Sequence, residues 1–186
     1  EVRRYITNFK KQYTASDIFE YLETLKNMKV TVIGEAILDE YVYCTALGKS
    51  SKESILAMKY EYRDCHAGGA LAVANHVANF CKEVNLLTYI GTINSQKDFI
   101  LKNLQPNVIP ILIEKSDSPT IVKRRYVDSY LLQKMLEIYE MDDRPISDHE
   151  ELQAIDKIEK CLTSSDVVIV NDFGHGLLSK RLRNRL

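Results

Sequence analysis

The stretch HAGGALAVANHVANF, His66 to Phe80, decides how the rest of the chain is read. Gly68 and Gly69 open a run of small residues that continues as a helix, with the composition of one that lies close against its neighbours. It is bracketed by KVTVIG (29–34) and VNLLTYIG (84–91), short continuous apolar runs of the kind that form strands buried on both faces. Strand, helix and strand in that order argue for an α/β domain with a largely parallel sheet.

Outward from this unit the alternation continues. SQKDFILKNL (95–104) predicts a short helix, with Ser95 and Asp98 at capping-box spacing, followed by the strand VIPILI (108–113). SDHEELQAIDKIEKCL (147–162) predicts a helix opened by a Ser147–Glu150 capping box, and DVVIVND (166–172) predicts one more buried strand. Before the first strand, TASDIFEYLETLKNM (14–28) has Ile18, Leu22, Leu25 and Met28 at helical spacing behind a Thr14–Asp17 cap. Residues 1–28 therefore read as a leader helix and linker, and 29–186 as the domain proper. Two segments, near 41–62 and 119–138, alternate like hairpin strands and do not fit a parallel sheet. They are expected to form an accessory β layer over the carboxyl ends of the core strands, where open α/β sheets bind ligands.

Composition narrows the function classes. A formal net charge of −1 over 186 residues offers no electrostatic case for nucleic acid as the main partner. No apolar run is long enough to span a bilayer, and EVRRYITNFKKQY at the start lacks the apolar region of a signal peptide. The four cysteines make no CxxC pair and no metal-ligand spacing, so small buried thiols in a reducing cytoplasm are expected. There is no GxGxxG and no GxxxxGK[ST]. Alone, Gly68-Gly69 fits close packing of a helix on a sheet as well as it fits a ligand site.

Five motifs in order change that reading: VTVIGEAILDEY (30–41), SSKES (50–54), AGGALAVANHVANF (67–80), PTIVKRRYVD (119–128) and VVIVNDFGHGLL (167–178). The series resembles the ribokinase-like (PfkB) carbohydrate kinases, and within them the bacterial heptose-7-phosphate kinases fused to a nucleotidylyltransferase. The resemblance implies a Rossmann-type three-layer αβα domain, incomplete here, with a β-sheet lid, and ATP and Mg²⁺ as cofactors. It puts Glu35 and Asp39 at the family's sugar-hydroxyl carboxylates, and a carboxylate can indeed accept hydrogen bonds from neighbouring hydroxyls. Gly68 and Gly69 match the glycine pair beside the sugar, and Glu53 matches an acidic lid position. Lys123 and Arg125, two apart and so on one face of a strand, would bind the phosphate of a sugar phosphate. Asp172 would help hold Mg²⁺, with His175 beside the nucleotide phosphates.

Four positions depart from the family pattern. Ala72 stands where an asparagine meets the sugar, Ile93 replaces an aspartate, Glu35 lengthens one, and His175 replaces a lysine. No late G-A-G-D segment occurs, so the base that deprotonates the acceptor is expected beyond Leu186 and the 186 residues alone are expected to be inactive. EVRRYI resembles the tail of a segment that closes nucleotidylyltransferase domains, which implies such a domain upstream. The sugar phosphate is the expected partner, with a homodimer through the exposed strand edges of the lid. The competing expectation is a non-catalytic, sugar-responsive or interaction module that keeps the fold. Asp39, as an exposed cleft carboxylate, is expected to matter to the sugar and little to stability.

Overall fold

The computed structural model describes residues 1–186. In chain order the elements are α1 (Val2–Gln12), α2 (Ala15–Leu25), β1 (Lys29–Gly34), β2 (Ala36–Lys49), β3 (Leu56–Gly69), α3 (Ala70–Ala78) and β4 (Glu83–Ile93). There follow α4 (Lys97–Lys102), β5 (Val108–Pro119), β6 (Ile121–Asp128), β7 (Lys134–Glu140), α5 (Asp148–Leu162), β8 (Val167–Asn171) and α6 (Lys180–Arg183).

The core is a parallel four-stranded sheet in the order β5-β4-β1-β8. Alternation along its strands sends side chains to two separate cores. Val84 and Leu86 pack with Leu71 and Ala74 of α3 and Ile100 of α4, while Leu87 and Tyr89 pack with Ala154 and Ile158 of α5 and Leu182 of α6. This is the three-layer αβα arrangement. β8 lies at the sheet edge and leaves Val167, Val168 and Val170 exposed.

The second sheet is the lid, in the order β3-β2-β6-β7. Two antiparallel hairpins, β2–β3 and β6–β7, are joined by parallel pairing of β2 with β6. The two segments expected to form this layer do so, with two differences. β2 already begins at Ala36, ahead of the segment expected from 41, so Asp39 sits inside a strand. β3 runs to Gly69, because its pairing with β2 persists to the root at Ala36–Gly69, and it passes directly into α3.

Capping boxes form at Thr14–Asp17 and Ser147–Glu150. The expected Ser95–Asp98 box does not: α4 starts at Lys97 behind a left-handed Gln96, with no side-chain cap. The Ser95 carbonyl instead accepts the Thr120 hydroxyl at 2.6 Å, a tertiary tie that sets the chain's course before the helix can start. All four cysteines are free, Cys44 and Cys161 buried and the other two half-buried, and burial pushes their thiols up from the usual range. Residues 1–28 form two helices, neither with a buried residue. No helix is long and apolar enough to cross a membrane.

Candidate sugar-binding site

Strand alternation puts Asp39 and Tyr41 on one face of β2 and Glu40 on the other. The register then extends each face across the lid. Asp39 pairs with His66 of β3 and Lys123 of β6, and Lys123 pairs with Tyr139 of β7. The next row on that face is Asp64, Tyr41, Arg125 and Glu137. Four of the residues read from the sequence, Asp39, Gly68, Lys123 and Arg125, are therefore neighbours, and Gly69 adjoins them at the strand root.

Gly69 is required by this closeness, and Gly68 lets the Asp39 side chain lie against the backbone. A Cβ on Gly68 would lie 2.0 Å from the Asp39 carboxylate, and one on Gly69 would lie 2.5 Å from the Glu35 carbonyl. Gly69 also has φ +55°, a left-handed conformation that side chains resist. The Glu35 carbonyl accepts the Ala70 amide, closing the first turn of α3 onto β1. Ala72, one turn on, is exposed and adds no polar group.

Arg125 and Lys123 part company here. Arg125 Nη1 meets Asp39 Oδ1 at 2.5 Å, its Nε meets Glu137 Oε1 at 3.0 Å, and its guanidinium lies over the Tyr41 ring. Burial opposes its charge, but the Asp39 bond and charge outweigh it and hold its pKa above the usual range. The Glu137 carboxyl is held low, first by the Tyr139 hydroxyl and then by Arg125 against some desolvation. Arg125 thus positions Asp39, and two carboxylates already pair with its charge. Lys123 makes no ion pair and rests 5.5 Å from the Tyr139 ring centroid, which leaves its charge for a ligand.

Three further residues lie apart from this face. Glu35 is fully buried, and its carboxylate accepts the backbone amides of Phe173, His175 and Leu177, so it anchors a loop. Its extra methylene reaches that loop. Glu53 lies at the exposed tip of the β2–β3 hairpin, about 30 Å along the strand from Asp39. His175 is turned inward: its Nδ1 meets Asp143 at 2.7 Å, its carbonyl accepts the Tyr89 hydroxyl, and its Nε2 is buried without a partner. Asp172 is half-exposed and accepts the Gly174 amide, with Arg183 at 3.9 Å. No group of three His, Cys, Asp or Glu side chains could hold a metal. One carboxylate suits a water-mediated contact to Mg²⁺ and no more.

The opposite lid face is separate. Glu40, almost buried, binds Arg124 at 2.9 Å and Arg63 at 3.3 Å, so Arg124 faces away from Lys123 and Arg125, as alternation requires. Sequence reading missed His66, Tyr41, Glu137 and Tyr139. Period-two spacing from Asp39 would have found Tyr41, but the other three become neighbours only through the register.

No family model matches the chain. Among curated proteins, the Bifunctional protein HldE of Bradyrhizobium diazoefficiens is 26% identical over 161 residues, which is 86% of this chain and 33% of that protein. Among solved structures, phosphofructokinase-2 from Escherichia coli, in complex with fructose-6-phosphate, superposes with a TM-score of 0.60 at 13% identity. The match covers 85% of this chain and 50% of that one. The fold is ribokinase-like. A carbohydrate kinase from Agrobacterium tumefaciens shares this ribokinase-like fold with a TM-score of 0.55 at 12% identity, over 77% of this chain and 45% of that one. The chain spans about a third of the HldE relative's length and half or less of these two ribokinase-like structures.

Proposed function

We propose that this chain is the sugar-binding part of a carbohydrate kinase that transfers phosphate from ATP, with Mg²⁺, to a hydroxyl of a sugar or a heptose-7-phosphate-like sugar phosphate. Its place is the synthesis of nucleotide-sugar precursors for lipopolysaccharide, in the cytoplasm. The similarity to HldE proteins and to sugar kinases supports the family direction. The observation that carries the reading is the convergence of Asp39, Gly68 and Lys123 on one lid face at the root of the core sheet. Asp39 would accept hydrogen bonds from sugar hydroxyls, Gly68 would let the sugar approach the backbone, and Lys123 would take a phosphate already on the substrate. The acceptor's base, and most of the nucleotide and metal contacts, lie outside these residues. A homodimer through the lid is part of the same reading. The inward-facing His175 favours a second reading, a sugar-responsive module without catalysis.

Titration of the chain with fructose 6-phosphate and with fructose, followed by NMR, tests it. Both sugars are expected to shift resonances of Asp39, Gly68 and Gly69, and Asp39→Ala should weaken both. Lys123→Ala should weaken the phosphorylated sugar about tenfold more than the other, the worth of one charge-assisted hydrogen bond. Equal losses would make Lys123 a lid charge only. Shifts confined to other residues would end the sugar-site reading.

A further inference from the structure

Lys123 stands beside Asp39 in the strand register, yet the two do not pair. Adjacent strands lie about 4.8 Å apart and opposite charges across them attract. A lysine on its flexible stem would ordinarily close onto such a carboxylate. Two contacts keep it away. Arg125 Nη1 holds Asp39 Oδ1 at 2.5 Å, while Asp39 Oδ2 lies against the Gly68 backbone. On the far side of β6, the Lys123 ammonium rests 5.5 Å from the centroid of the Tyr139 ring, its register partner on β7.

Tyr139 is itself fixed. Its hydroxyl donates to Glu137 Oε2, and Glu137 Oε1 accepts Arg125 Nε at 3.0 Å. Asp39, Arg125, Glu137, Tyr139 and Lys123 therefore form a circuit on one lid face, which ends with Lys123 back beside Asp39. An aromatic face attracts a cation without supplying a counter-charge. A carboxylate in its place would bind the ammonium and repel a phosphate. Tyr139 is half-exposed and belongs to neither core, so the domain does not need its ring for packing.

We propose that Tyr139 is a positioning residue whose ring holds the Lys123 ammonium off Asp39, and so makes the site prefer a phosphorylated sugar to the same sugar without phosphate. The proposal rests on the sugar-site reading and deepens it. Asp39 would read the hydroxyl end of the substrate and Lys123 its phosphate, with Tyr139 acting only through Lys123.

Tyr139→Leu, which removes the ring, and Tyr139→Phe, which keeps it, provide the test. In NMR of the full chain without ligand, the Lys123 side-chain methylenes should carry a ring-current shift that persists in Tyr139→Phe and disappears in Tyr139→Leu. In titrations with fructose 6-phosphate and fructose, Tyr139→Leu should lose most of the roughly tenfold preference that Lys123 supplies, with an unchanged melting transition. Tyr139→Phe should keep that preference. Added to Lys123→Ala, Tyr139→Leu should lower it no further. A native preference in Tyr139→Leu would overturn the proposal, as would Lys123 resonances indifferent to both variants. An equal loss in Tyr139→Phe would also overturn it, by assigning the effect to the hydroxyl. A native chain that binds both sugars alike through Asp39 and Gly68 would sink this proposal and leave the sugar site standing. If neither sugar shifts Asp39 or Gly68, the sugar-site reading fails and takes the proposal with it.

Discussion

At Gly68 a methyl in place of a hydrogen would displace the Asp39 side chain. An alanine there would set its Cβ 2.0 Å from the Asp39 carboxylate and push it off Arg125. Gly68→Ala should therefore weaken sugar binding as Asp39→Ala does, in the same titration. Asp39 is bonded to Arg125, whose side chain is only 15% exposed, so its loss should also reach stability. Asp39→Ala is expected to cost about 1–2 kcal/mol in urea unfolding, short of the 3–5 kcal/mol of a stranded buried charge, because Glu137 still holds the guanidinium. Glu35 behaves differently. It satisfies three backbone amides from a fully buried position, so Glu35→Asp, one methylene shorter, should speed hydrogen exchange at residues 173–177. Unchanged exchange there would show that the loop holds itself.

At the scale of elements, the anchoring of α5 is sensitive to acid. Ser147 caps it, and Glu150 accepts the amides of Ser147 and Ser116, tying the helix start to β5. Ser147→Ala should cost about 1 kcal/mol. Burial raises the Glu150 pKa, but these hydrogen bonds together outweigh it and leave the carboxyl below its usual range. In the β7–α5 connection the Arg144 side chain holds the Asp142 carboxyl down to about 2. Both carboxylates have folded pKa values below their unfolded ones, so their contribution is complete above the ordinary carboxylate range and is lost as pH falls through the folded values. Unfolding free energy should drop between about pH 4 and pH 2, with a shallower slope in Asp142→Asn. The same connection is fixed by Lys115, whose buried ammonium donates to the Asp142 and Arg144 carbonyls at 2.5 and 2.6 Å.

For the whole chain, the proposed function predicts binding without turnover. On the proposed reading the 186 residues would supply the lid and one side of a sugar site, and they hold no G-A-G-D segment to stabilise the transferred phosphoryl. The chain on its own is expected to consume no ATP in the presence of fructose 6-phosphate, read by coupled ADP release, while still binding the sugar. Steady release above the no-sugar control would refute this.

What the sequence by itself determined is local. Continuous apolar runs made the core strands, two of three capping boxes started their helices, and period-two spacing put Lys123 and Arg125 on the face opposite Arg124. Each of these depends on residues a few positions apart, where the backbone's own geometry sets what side chains can meet. Only the tertiary structure decided which of those faces touch. Asp39 and Arg125 are 86 residues apart, and they meet because β2 pairs in parallel with β6 in one register; a slip of one residue would turn Asp39 to the other face. The same holds for Glu35. Its carboxylate could have faced a sugar or a loop, and the return of the chain through residues 173–177 filled the space around it with amide donors.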